Sequence, residues 1–571
     1  MFDDRSRREL ITRDISSYYI DYASDILVSL FTKIKILVVV DSSIDLDLDT
    51  DSFGIGRVIK LIRETTFGTV DFEVTIARRQ GNTGTTPNPS DTEPKYSGFR
   101  FDQKEPDGKN TIDNFTEIWC FGFEPGNNPG GTDNDIVSIS SSELKELTKW
   151  MNDKKGGIFA TGDHHYLGAD MCSKIPRVRT MRKWTIADGV PPISGPDRID
   201  TNRPANSAQA DITGTPQVMQ NTNERDSNPQ KIDWIPWITS LSSAVSVAKR
   251  PHPILCHPSL GPIDIMPDHP HEGLCFDTRP DRDGNVEIKL DGSYDFNGYA
   301  GQEYPQDGSI RPTPQIIAEG TTLPDPPYSF QKGDSPAKRF PMISVYDGMK
   351  TDVGRVVVDS TWHHWLNMNI SEMESETDQT NWEKISRYYI NIALWLSPKR
   401  PFSITNLYFM IASSFSYLGF REFSPKGNIY EMGNTYRTTF SRRYGPCWVD
   451  EFILDWFRVY KKELYPKLID HYIKSPKPFP APNPCLSCPP FDLIEDAMLG
   501  GMIKKSSQII TPIIKQLNKN QKCDDVLDIE KFQNALNEGI NEGLEELKKS
   551  IEESIKYTRN MFDDSCNASK S

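Results

Sequence analysis

Ile34-Lys-Ile-Leu-Val-Val-Val40 is the stretch that most narrows the fold. It is a continuous β-branched and apolar run rather than an alternating one, so it reads as a strand buried on both faces, the kind a helix-covered parallel sheet requires. An Asp-rich turn follows, then a helix over Phe53–Glu64 and a second strand at Phe72–Ala77. Glu117–Gly122 is a third strand, Ser142–Asn152 a helix opened by Ser-Ser-Glu-Leu, and Gly157–Thr161 the strand after it. Arg355–Asp359 is a late buried strand, and Trp382–Leu396 a helix stopped by Pro398. This β-α-β-β-α-β order implies an α/β fold: a three-layer, mostly parallel sheet with helices on both faces.

A chain of 571 residues exceeds one hydrophobic core. The expected organisation is an N-terminal helix over 1–32, an α/β domain over 33–397 and a helical extension over 398–475. A Pro-rich linker over 476–490 and a helical C-terminal region over 491–571 complete it. Residues 185–340 are dense in Pro, Gly, Asp and Asn and are read as a loop-rich insertion draped on the core. Ile529, Phe532, Leu536, Ile540, Leu544, Leu547, Ile551 and Ile555 form one stripe of a helix over Asp528–Met561. That stripe either docks on its own chain or pairs two copies of the protein into a homo-oligomer.

The net charge of −15 argues against a nucleic-acid or anionic-membrane partner, because phosphate would be repelled. The most apolar stretch, Leu407–Phe420, falls short of the ~20 residues that span a bilayer. Met-Phe-Asp-Asp-Arg at the start has neither the basic nor the apolar part of a secretion signal, and nine scattered cysteines suit reduced thiols. A cytoplasmic location is expected.

Six of the nine histidines fall in three Asp/His motifs. They read Asp163-His164-His165, Asp268-His269-Pro-His271-Glu272 and Asp359-Ser-Thr-Trp362-His363-His364-Trp365. Ligands of an open parallel sheet sit beyond the carboxyl ends of its strands. Two motifs follow such ends directly, and Asp41 follows the first strand. The third motif lies in the insertion, within reach of the same edge. Imidazole mixed with carboxylate suits Zn, Mn, Fe or Ni, and His269-x-His271 puts both rings on one face of an extended chain. Three readings stand: a divalent-metal site, a metal-free acid–base site, and histidines that merely cap strand ends. Neighbouring histidines diverge, so one of each pair is expected to face a site.

Asp41–Asp51 is not an EF-hand: counted from Asp47, position six is Ser52 and position twelve Val58. Arg177, Arg179 and Arg182 either grip an anionic substrate or form a salt-bridged face. Trp362 and Trp365 wall a pocket or pack the core. Cys485-x-x-Cys488 lacks the second pair of a zinc finger.

Gly156-Gly-Ile-Phe-Ala-Thr-Gly162-Asp163-His164 and Ser360-Thr-Trp-His363-His364 resemble the elbow and the late histidine segment of the class I glutamine amidotransferase-like superfamily, including its trehalose-utilisation-type branch. The resemblance covers 33–397 and implies a flavodoxin-like, amidotransferase-like fold. Members that hydrolyse glutamine carry a cysteine at the elbow, where this chain has Gly162-Asp163-His164. Cys172, nine residues beyond Asp163, is misplaced for that role, so glutaminase activity is not expected.

The expectation is a hydrolase-like enzyme acting on a small acyl or amide substrate. Asp163, His363 and Glu272 are its catalytic candidates, with His363 as base. His164, His269, His271, His364 and Asp268 are the candidate ligands of a divalent metal, zinc or similar. Asp41, Arg177 and Trp362 are candidate substrate contacts. The competing expectation is a catalytically silent scaffold that recruits a protein partner through its C-terminal helices.

Overall fold

The structure is a computed structural model. It describes residues 32–122, 138–190, 230–321, 339–398, 428–472, 490–517 and 529–568, less short stretches within them that include 163–167 and 268–272. The N-terminal helix expected over 1–32 lies outside these residues apart from Thr32, which opens the first strand.

Five parallel strands form the heart of the sheet: β1 (Thr32–Val40), β2 (Val70–Arg78), β3 (Glu117–Gly122), β4 (Gly157–Gly162) and, much later, β7 (Val356–Asp359). Between β4 and β7 the chain adds β5 (Gln315–Thr321) and β6 (Arg339–Tyr346), which pair antiparallel with each other and then with β7. The order is β2-β1-β3-β4-β7-β6-β5, within a sheet of eleven strands. Alternate residues of β1 serve two cores. Ile34, Ile36, Val38 and Val40 enter one, while Leu37 and Val39 enter the other. The expected both-face burial is therefore met by two helical layers.

One layer holds α1 (Gly56–Glu64), α3 (Asn367–Ser375) and α4 (Thr380–Leu396). Val58, Ile59 and Ile62 of α1 and Ile385, Tyr388, Tyr389 and Ile392 of α4 face β1 and its neighbours. The other layer centres on α2 (Ser141–Asp153), through Leu144, Leu147, Trp150 and Met151. The start of α2 is set locally: Ser140 Oγ accepts the Glu143 N–H at 3.2 Å and Glu143 Oε2 accepts the Ser140 N–H at 2.9 Å, a capping box. Glu143 also takes Arg79, in an ion pair about as buried as the core itself.

The insertion departs from the sequence reading. Its last part is not draped over the core; β5 and the start of β6 lie inside the sheet, and Asp233–Trp234 adds an edge strand to β5. The signal is the short apolar run Ile316-Ile317-Ala318, which Pro-rich flanks conceal but the β6 ladder buries.

The C-terminal helices are α5 (Ile429–Tyr444), α6 (Pro446–Tyr460), α7 (Tyr465–Tyr472), α8 (Phe491–Leu517) and α9 (Ile529–Ala568). Glycines let their backbones approach closely: a Cβ on Gly433 would collide with the Asp496 carbonyl, and one on Gly501 with that of Gly539. Phe532, Leu536, Ile540 and Leu547 of α9 are buried, so the first half of the stripe docks on its own chain. At ~1.5 Å per residue α9 is about 60 Å long, and in its second half Ile555 is 63% and Tyr557 69% exposed. Among the described residues no helix is long and apolar enough to cross a membrane.

Candidate functional site

Strand β7 ends on Asp359, fully buried, and the chain then turns through the 3-10 segment His363–Trp365. The turn closes on the carboxylate. Asp359 Oδ2 receives His364 Nδ1 at 2.8 Å, the Tyr388 hydroxyl of α4 at 2.8 Å and Trp365 Nε1 at 3.3 Å. Oδ1 receives the Thr361 N–H at 3.3 Å. A carboxylate only accepts, so Nδ1 of His364 carries a proton, and in the neutral ring the lone pair lies on Nε2. His364 is itself fully buried, and Nε2 has no hydrogen-bond partner among the described residues. An oriented imidazole with one nitrogen left open is the arrangement of a general base or of a metal-binding histidine.

His363 is also fully buried, its N–H directed to Thr361 Oγ1 at 3.4 Å and its ring 4.2 Å from that of Trp362. Of this histidine pair, the one oriented by the strand-end carboxylate is His364, whereas the sequence reading gave the base role to His363.

Residues next in sequence to the other two motifs, Gly162 and Gly273, meet the same turn. Arg182, 1% exposed, donates Nη2 to the Gly162 carbonyl at 2.9 Å and Nε to the Ser360 carbonyl at 3.2 Å, with its guanidinium 4.1 Å over the Trp184 ring. Gly162 immediately precedes Asp163, and Ser360 immediately follows Asp359. Gly273, which follows Glu272, packs so tightly that a Cβ would collide with the Ser360 carbonyl and come within 3.0 Å of Arg182 Nη2. Thr161 Oγ1 donates to the Thr361 carbonyl at 3.0 Å, a second tie between β4 and the turn after β7. Asp163, His164, His165, Asp268, His269, His271 and Glu272 lie outside the described residues. Among the described residues no group of three His, Cys, Asp or Glu stands ready to hold a metal.

Asp41 follows β1 at the point where strand order reverses between β1 and β3, the usual crevice of such sheets. Its N–H donates to the Phe121 carbonyl at 3.3 Å. Arg177 is not brought to the Asp359 turn. It is fully buried against the α2 layer, with Nη2 on Asn152 Oδ1 at 2.9 Å and its backbone N–H on Glu303. Cys172 sits beneath the switch point, fully buried, and burial pushes its thiol well up, which keeps it protonated and unreactive.

Sequence reasoning missed three participants. Asp359 was noticed only as part of a motif, and its position five residues before His364 is the available signal. Tyr388 and the paired carbonyls that hold Arg182 carry no local signal at all. No protein-family model matches the chain, and neither does any curated protein or solved structure.

Proposed function

We propose that the carboxyl edge of the sheet is the centre of a hydrolase-like enzyme for a small acyl or amide substrate, with a divalent metal as cofactor. One observation carries the reading: the His364 imidazole, buried and held by Asp359 through Nδ1, has no partner for Nε2 among the described residues. His364 takes over the base role expected at His363. As a water oxygen bonds to the substrate carbonyl carbon, Nε2 accepts the water's proton and Asp359 offsets the imidazolium charge. Glu272 returns a proton to the leaving group, and Trp362 and Asp41 border the substrate.

His164, His269, His271 and Asp268 are the ligands that would hold the metal, leaving the single lone pair of His364 Nε2 for the proton. Such an ion would supply Lewis acidity toward a carbonyl or a water. Asp163, beside the Gly162 anchor, completes the set. The amidotransferase-like resemblance supports the placement of the site, and the location is cytoplasmic. A second reading, a silent scaffold that recruits a protein through α9, draws on the exposed Ile555 and Tyr557.

Elemental mass spectrometry of the untagged protein separates the two. About one equivalent of transition metal, lost in His269→Ala/His271→Ala and kept in His364→Ala, is expected. Hydrolysis of p-nitrophenyl esters and anilides should fall ~10²-fold or more in His364→Ala. Metal-free protein with no hydrolysis, from variants that fold normally, leaves the scaffold reading.

A further inference from the structure

We infer that Arg177 anchors a small oxyanion site on the α2 side of the sheet, one that takes a carboxylate or phosphate group. The site lies apart from the Asp359 turn and does not rest on the hydrolase reading.

Arg177 is fully buried, yet its side chain meets a single partner: Nη2 donates to Asn152 Oδ1 at 2.9 Å. Nε and Nη1 have no acceptor among the described residues. Glu303 takes the Arg177 backbone N–H, but its carboxylate is occupied by the neighbouring arginine, with Arg179 Nε at 3.2 Å and Nη2 at 3.0 Å, and by Thr180 Oγ1 at 3.4 Å. Two arginines therefore share one buried carboxylate, and one positive charge is left over among the described residues. Arg179 is the salt-bridged member of the basic run and Arg177 the open one. The backbone is also held where it would not rest by itself. Arg177 sits at φ 70°, a left-handed value that residues other than glycine avoid and that persists only where surrounding contacts impose it.

The neighbours are aromatic and uncharged. Asn152 Nδ2 donates to the Tyr294 and Tyr299 hydroxyls at 3.0 and 3.1 Å, and both tyrosines belong to the hairpin of Ser293–Phe296 with Tyr299–Gln302. Burial pushes the Tyr294, Tyr304 and Tyr346 hydroxyls up, and the Arg177 charge acts on all three in the opposite sense without reversing it. They stay protonated at neutral pH, so none supplies the missing negative charge. A buried cation that lacks both acceptors and a counter-charge is costly. A water molecule accepts the free N–H groups but leaves the charge uncompensated, whereas an oxyanion meets both needs through charge-assisted bonds. Tyr299 is only half-buried, so the hairpin is the side from which a small anion enters.

The test uses the full chain, with sodium phosphate and sodium acetate as probes and sodium chloride at matched ionic strength as the reference. At least one of the two oxyanions should raise the wild-type melting temperature above its value in chloride, as a ligand of the folded state must. Which of them does so tells a phosphate site from a carboxylate site. Calorimetric titration should show the affinity falling ~10–100-fold in Arg177→Gln and Arg177→Met, the loss of hydrogen bonds to a charged group. Hydrogen exchange of the wild type should slow with the probe in peptides spanning 174–182 and 292–304, a readout that serves if both variants fail to fold. A wild type that answers neither oxyanion beyond chloride overturns the inference, a water then filling the place. A folded Arg177→Gln protein with wild-type affinity overturns it too, as does protection confined to peptides elsewhere in the chain.

Discussion

The two ends of β7 carry equally buried polar groups and treat them in opposite ways. At the amino end Arg355, 1% exposed, uses every nitrogen. Nε donates to Asp347 at 2.7 Å, Nη1 to the Trp395 carbonyl at 2.9 Å and Nη2 to Glu451 of α6, with the guanidinium 4.4 Å over the Trp395 ring. At the carboxyl end, four residues later, Asp359 is saturated by four donors, but His364 Nε2 beyond it has no partner among the described residues. A buried polar group costs free energy unless it is satisfied. A saturated cluster therefore holds parts together, here the sheet and the C-terminal helices, while an open one is tolerated where a ligand or a reaction uses it.

This contrast can be broken by substitution. The largest expected effect is on chemistry at the carboxyl end: Asp359→Asn should cut hydrolysis of a p-nitrophenyl ester by ~10²–10⁴-fold, since the imidazole loses both its orientation and its counter-charge. Full activity in a folded Asp359→Asn protein would sink the dyad. At the amino end, Arg355→Met should lower unfolding free energy by ~3–5 kcal/mol, because Asp347 and Glu451 lose the cation they are packed against. Activity per folded molecule should be unchanged there, as denaturant titration and assay of the same samples would reveal.

The helical junction sharpens the comparison through pH. Arg250, from the hairpin strand Ser246–Arg250, reaches Asp450 on α6 and Asp492 and Glu495 on α8, with Arg437, Asp496 and Cys447 around them. Glu495 is pushed well above the ordinary carboxyl value of 4.5, first by burial and then by the Asp450 charge, and Asp450 is raised too, by burial. The pair titrates as a unit and keeps a proton that the unfolded chain would release. Stability from that proton is complete below the unfolded carboxyl pKa and is lost as pH rises through the raised value, by up to about 1.4 kcal/mol per pH unit. Urea midpoints should therefore fall with pH above 4.5, and Glu495→Gln should flatten the slope. A midpoint that rises with pH across the same range in wild type would contradict the shared proton.

The smallest effect is expected at the far end of α9. A chain ending at Glu553 keeps Ile551, which packs against the core, and loses Ile555 and Tyr557, both mostly exposed, so its unfolding free energy should change by no more than ~0.5 kcal/mol. A large loss of stability or of oligomeric mass on truncation would show that this segment is covered, and would favour the scaffold reading.

Much of the fold was legible because burial on both faces leaves a local mark. The run at 34–40 and the strands near 117, 157 and 356 stand in the structure within a few residues of their expected places. The β5–β6 hairpin was hidden, since a short apolar run between prolines looks alike in a loop and in an antiparallel edge. The site was half legible. The Asp/His motifs announce themselves by composition, yet adjacency could not say which of His363 and His364 meets Asp359. A turn of 3-10 helix decides that, by aiming one Nδ1 at the carboxylate. Arg177 is a further case that local pattern left open: a basic run suggested a substrate grip or a salt-bridged face, and the fold buries this arginine against Asn152 and Glu303.

By itself the sequence determined which segments are buried strands, where acidic and histidine side chains cluster along the chain, and that Asp163-His164-His165 rather than a cysteine follows the strand ending at Gly162. These are local properties, encoded by apolar runs and residue chemistry a few positions apart. Only the tertiary structure decided which histidine is oriented, which arginine joins Gly162 to Ser360, and which carboxylates share Arg250 with a helix 200 residues away. Such contacts depend on where the sheet order places strand ends, and chain-local pattern carries no record of that order.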